Sequence, residues 1–180
     1  MSDDDASDGR DGRDGRDGDG GGETHASAGT SGAGADASPT LAYCHLWTDG
    51  NGVSHQSRCT LEHFELAQVG KAAPQWNDEQ ARGEATVVFT VLPVGWVGEW
   101  HENPAPQWIV PLSGRWWVEA MDGTRIAMGT GERSLGEDQG CVKDAQGRRG
   151  HRSGTVGDLP AVLMVVQCHV PPVRKACHAK

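Results

Sequence analysis

From Leu41 onward, apolar and polar residues alternate in short runs separated by turn-forming clusters, and no long segment keeps the 3.6-residue apolar period of a helix. The run LAYCHLW (41–47) ends in Asp49-Gly50-Asn51-Gly52, a dense turn signal, and HQSRCTLEHFELA (55–67) follows with looser alternation. The polar stretch 74–83 predicts a loop with at most a helical turn. EATVVFTVL (84–92) is β-branched and aromatic, which suits a pleated, half-buried surface, and Pro93 ends it. WVGEWHEN (96–103) and QWIVPLSG (107–114) predict two strands divided by Pro104-Ala105-Pro106. RWWVEAM (115–121) and TRIAM (124–128) flank Asp122-Gly123 and read as a tight hairpin. ERSLGED (132–138) predicts a short strand, 139–150 a loop containing glycine and arginine, and HRSGTV (151–156) a further strand. AVLMVVQCHV (161–170) is apolar enough for a central strand covered on both faces. About nine short strands with turns between them predict an all-β domain, an antiparallel sandwich or barrel, and a jelly roll fits that number.

The first 38 residues break the pattern. DGRDGRDGRDGDGGG repeats Asp-Gly-Arg and dissolves into glycine, with no aromatic residue before Tyr43. Such a stretch cannot bury enough apolar surface to offset its ordering entropy, so it is expected to be disordered and dispensable for folding. The repeat lacks the proline and the length of a collagen helix. Residues 1–40 hold ten acidic and three basic side chains, a net −7 of the chain's −9, which leaves fifteen acidic against thirteen basic residues for the remainder. The foldable part is therefore near neutral. It has no basic footprint for nucleic acid, since Arg148, Arg149 and Arg152 form too small a cluster. The N-terminus has no signal-peptide pattern and no segment is long and apolar enough to span a bilayer, so the expectation is a soluble cytoplasmic protein with no membrane partner.

Five cysteines, Cys44, Cys59, Cys141, Cys168 and Cys177, form an odd set without CxxC spacing, which reads as free thiols rather than a disulfide framework. The neighbouring pairs Cys44-His45, Cys168-His169 and Cys177-His178, and Cys59 with His63, have the donor chemistry for zinc, but their spacing matches no compact zinc motif.

The most informative stretch is GWVGEWHENPAPQWIVPLSG: Gly95, five residues, His101, one residue, Asn103, three residues, Gln107, six residues, Gly114. Alternation puts 101 and 103 on one strand face, and the turn through Pro104-Ala105-Pro106 can return 107 to the same interior. In its spacing this resembles the first motif of the cupin superfamily, with Asn103 where the second histidine stands and Gln107 where the glutamate stands. The histidine of the second motif has its counterpart in His151, within GRRGHRSG. The resemblance runs over about residues 45–170, to a group of small single-domain cupins. It implies a jelly-roll β-barrel over 41–172 between the acidic tail 1–38 and a C-terminal tail 173–180. It also implies a homodimer, and a divalent ion (iron, manganese, nickel or zinc) held by His101, Gln107 and His151.

Two imidazoles and two carboxamides are a weaker donor set than three imidazoles and a carboxylate, so a site of this kind holds a divalent ion weakly. Glu102 should point to the opposite sheet face from His101, whereas Glu137 and Asp138 contribute a carboxylate only if their strand passes the cavity mouth. Trp100 and Trp108, with Asn103 and Gln107, are the candidate lining for a small organic ligand, although tryptophans clustered in strands serve packing first. The seven tryptophans exceed what a core of this size easily hides, which is a second reason to expect a homodimer. No Ser-His-Asp set, phosphate-binding loop or paired catalytic carboxylates are present. Three readings stay open: a small-molecule-binding cupin, a metal-dependent cupin enzyme of the oxygenase or isomerase type, or a scaffold whose cavity is vestigial and whose function lies in the tail or the dimer surface. No catalytic residue is assigned.

Overall fold

The computed structural model describes residues 37–170, 172, 173 and 177. The acidic stretch expected to be disordered lies outside the described residues, save for its last two positions. The described chain is all β: β1 (Leu41–Thr48), β2 (Ser54–Leu61), β3 (Glu65–Ala67), β4 (Gln75–Asn77), β5 (Ala85–Leu92), β6 (Gln107–Ser113), β7 (Arg115–Ala120), β8 (Arg125–Gly129), β9 (Ser134–Glu137), β10 (His151–Thr155) and β11 (Ala161–Cys168). Among the described residues no helix is long and apolar enough to cross a membrane.

Six strands form one sheet in the order β2-β1-β9-β6-β11-β5, three form a second in the order β10-β7-β8, and β3 pairs with β4. The larger sheet is mixed rather than wholly antiparallel, because β1 and β9 run parallel, with Cys44 opposite Ser134 and Leu46 opposite Gly136. The predicted turns form by local hydrogen bonding. The Asp49 carboxylate accepts the N–H groups of Asn51 and Val53, both at 2.9 Å, and closes the β1–β2 hairpin. Between β7 and β8, Asp122 accepts the N–H of Thr124 at 2.7 Å, and Gly123 takes φ 87°, which an L side chain would resist.

Three local expectations change. Residues 96–103 do not form a regular strand: they touch β10 at two isolated bridges, Val97 with Gly154 and His101 with His151. Four residue steps on one side face three on the other, so the pairing slips by one, as at a β-bulge. Residues 75–77, expected in a loop, pair with β3 instead. Pro111 lies inside β6 and offers no N–H to the ladder, and the β11 pairing shifts register there, between Val162 and Leu163.

The main core lies between the two larger sheets. Cys44 and Leu46 of β1, Leu92, Ile109 and Leu163 meet Trp116, Val118, Ala120 and Met128 from the small sheet. A second cluster, Tyr43, Cys59 and Leu135 with Leu61 and Trp108, lies on the opposite face of the large sheet. Thus β1 is the strand buried on both faces, with Tyr43, Cys44, His45 and Leu46 all inaccessible in succession. β11, expected to hold that place, is half-buried along one side. Among the described residues β2 and β5 are the two edges of the large sheet, and Val87, Val88, Phe89 and Val91 are exposed on β5.

Candidate functional site

Strand register places Leu46, Gly136, Gln107 and Gln167 side by side on the face of the large sheet that looks toward the small one. The chain between the sheets adds His101 and Asn103 before β6, and Asp138 directly after β9. From the small sheet His151 enters at the start of β10, opposite Ala120. The result is one polar cluster at the end of the inter-sheet core.

Its centre is Asp138, fully inaccessible to solvent. One carboxylate oxygen accepts both the backbone N–H (3.0 Å) and the side-chain amide (2.7 Å) of Asn103, and the other is 2.7 Å from Nδ1 of His151. A chain of carboxamides continues outward: Gln107 donates to Asn103 Oδ1, and Gln167 donates to Gln107 Oε1 at 3.1 Å. Gln139 closes the cluster by donating to the Asn103 carbonyl at 3.0 Å. Gly136 makes room for it, since a Cβ there would lie 2.2 Å from Asn103 Nδ2.

His101 stands at the solvent side. Its backbone exchanges two 2.8 Å hydrogen bonds with His151, its ring centroid is 4.5 Å from that of His151, and its Nδ1 is 2.8 Å from the Glu99 carbonyl. A carbonyl can only accept, so His101 carries a proton on Nδ1, and in the neutral ring the lone pair is on Nε2. The Asp138 carboxylate fixes the same tautomer in His151.

The structure therefore brings His101, Asn103, Gln107 and His151 into one cluster, although both ends of the Gln107 amide are engaged by protein partners. Glu102 is turned away, as alternation predicts, to an ion pair with Arg149 and a hydrogen bond from the Cys141 N–H at 2.6 Å. Trp100 and Trp108 are elsewhere. Trp100 carries Arg148 and Arg152 at 5.4 Å from its ring, and Trp108 packs at 5.2 Å against Tyr43 behind the large sheet. Gln167 was not anticipated; its signal is a lone carboxamide in an otherwise apolar strand.

Behind the large sheet lies a cavity of about 120 Å³, lined by Tyr43, Leu61, His63, Trp108, Leu135, Glu137 and Cys177 among others. Burial pushes the Tyr43 hydroxyl above its ordinary pKa, against a hydrogen bond with the Cys177 backbone that acts the other way. Here Cys59 and Cys177 form a disulfide, which corrects the expectation of free thiols throughout. Their separation of 118 residues left no spacing signal in the sequence. Cys44, Cys141 and Cys168 are free and buried, and burial raises each thiol pKa. A ring nitrogen of His45 and the two disulfide sulfurs lie within 4.8 Å of one another, a grouping that can hold a metal ion only when the sulfurs are not bonded to each other.

No protein-family model matches the chain, and no curated protein matches it.

Proposed function

We propose that the protein is a small cupin-type jelly roll that binds a small organic ligand at the end of the inter-sheet core, through His101 and His151. The observation that carries this reading is the pair of adjacent imidazoles, each with Nδ1 committed to a protein acceptor, so that both Nε2 atoms are lone-pair donors. Ligand-holding histidines are set up in this way, with the other ring nitrogen held by a carboxylate or a backbone carbonyl. His101 is exposed and His151 buried, which gives the pair an open side and a closed one.

A divalent ion fits this arrangement weakly. His101 and His151 would hold it, but Gln107 spends its oxygen on Gln167, and Asp138 spends both of its oxygens on Asn103 and His151. A bound ion would act as a Lewis acid toward a ligand oxygen or nitrogen. Two neutral donors favour binding over turnover, so the enzymatic alternative ranks second. In protein with its disulfide intact, His101→Ala is expected to melt within a few degrees of the parent and to lose nickel and manganese uptake. Uptake unchanged in the variant, or absent in the parent, would remove the metal from this reading.

The homodimer is proposed on β5 rather than on the tryptophans, all of which are buried or half-buried. β5 combines an open sheet edge with four exposed apolar side chains, a template for antiparallel pairing with a second copy of itself. Sedimentation velocity at micromolar concentration is expected to show a dimer that Val88→Lys converts to monomer. A parent protein that sediments as a monomer contradicts the proposal.

A further inference from the structure

Behind the large sheet, His45, Cys59 and Cys177 converge from β1, β2 and the C-terminal segment. His45 is a buried imidazole, 3% exposed, and its Nε2 lies 2.9 Å from the Glu137 carboxylate. A carboxylate that holds one nitrogen of an imidazole fixes the orientation of the ring, as around metal-binding histidines.

We propose that reduction of the Cys59–Cys177 disulfide converts this cluster into a zinc site with His45, Cys59 and Cys177 as ligands, so that the protein binds zinc in its reduced form and releases it on oxidation. Zinc takes thiolate sulfur at about 2.3 Å and imidazole nitrogen at about 2.0 Å, which sets the donors of a tetrahedral site roughly 3.5–3.8 Å apart. The three donors already lie within 4.8 Å of one another, and the Cα atoms of the two cysteines are 6.0 Å apart, so only side-chain movement is needed. Two thiolates cancel the charge of the ion, which suits a site where His45 and Cys59 are buried. Cys177 also lines the cavity.

The chemistry balances in both directions. A dithiol reductant attacks the disulfide, passes two electrons to it and leaves as its own disulfide. The two freed thiols then lose two protons as zinc binds. In reverse, hydrogen peroxide takes two electrons from the thiolate pair, the S–S bond re-forms, zinc departs, and two protons complete two water molecules. The disulfide itself is a poor ligand, since it carries neither the charge nor the donor strength of thiolate.

The test uses the full chain, with zinc as the probe and cobalt(II) as its spectroscopic substitute. Protein reduced by a phosphine is expected to take up one zinc per chain at least about tenfold more tightly than air-oxidised protein. Its cobalt form should show thiolate-to-metal charge-transfer absorption, and peroxide should release the ion and restore the disulfide. Cys59→Ser with Cys177→Ser should abolish the charge-transfer band, and His45→Ala should weaken uptake by about ten- to a hundredfold. His101→Ala should leave it unchanged, which separates this site from the one between the sheets. Equal uptake by oxidised and reduced parent protein overturns the proposal without any variant. So does a charge-transfer band that survives in the double serine variant, because the thiolates would then be Cys44, Cys141 or Cys168. Loss of zinc binding in His101→Ala alone would place the ion at the other site and equally overturn it.

Discussion

Asp138→Ala is expected to lower stability by about 3–5 kcal/mol, because it breaks a buried hydrogen-bond network centred on one carboxylate. The carboxylate is wholly buried and accepts three hydrogen bonds, two from Asn103 and one from His151. Alanine leaves those donors without acceptors in a place that water reaches poorly, and each orphan costs about 1–3 kcal/mol, less than additively. Asp138→Asn separates stability from tautomer. Asparagine keeps one oxygen for Asn103 but offers an NH2 group to His151, whose Nδ1 must then become the acceptor while its proton moves to Nε2. The expected cost is smaller, about 1–2 kcal/mol, yet the lone pair needed at Nε2 is lost, and with it the metal or ligand uptake. Urea unfolding of the two variants, paired with nickel titration, measures both effects. An alanine variant within about 1 kcal/mol of the parent would show that the cluster is not the buried keystone its geometry implies.

Sequence pattern and structure agree where the physics is local. Alternation and turn chemistry place β1, β5, β6, β7, β8, β10 and β11 close to their observed bounds, because strand period and turn-forming residues act within a few positions, whereas the single run 55–67 divides into β2 and β3. Asn103 and Gln107 join His101 because their spacing is a local property, whereas His151 is reached from sequence only through the family resemblance. What escaped depends on residues distant in the chain. Asp138 was conditional on where its strand passed, and only the parallel pairing of β9 with β1 decides that. Gln167 reaches Gln107 across 60 positions, and Cys177 reaches Cys59 across 118. The slipped register of 96–103 is hidden for another reason: an extra residue in a strand alters nothing in composition and is visible only against its partner. Trp100 and Trp108 were placed beside the ligand by proximity in sequence, although neighbours of inward-facing residues in a strand point outward.

Gly150→Ala should be among the most damaging single methyl additions to the described residues, and it tests how the imidazole pair is held. Gly150 has φ +78°, and a Cβ there would fall 2.2 Å from the His101 carbonyl oxygen and 2.6 Å from the Glu102 nitrogen. Both are backbone atoms, so no rotamer change relieves the overlap. The left-handed conformation alone costs a non-glycine residue about 1–2 kcal/mol, and separating the strands at the His101–His151 bridge adds at least two hydrogen bonds, about 1 kcal/mol each. The expected total is about 3–4 kcal/mol, with loss of nickel uptake, since His101 is pushed off His151. Gly114→Ala supplies the comparison. It has φ +69° and a Cβ position 2.2 Å from the Pro160 carbonyl, but it stands at the end of β6 opposite to Gln107. It should destabilise by a similar amount while the folded fraction still binds nickel. If both variants keep uptake per folded chain, the bridge does not set the imidazole pair. If both lose it, uptake reports global folding and not the geometry of His101 and His151.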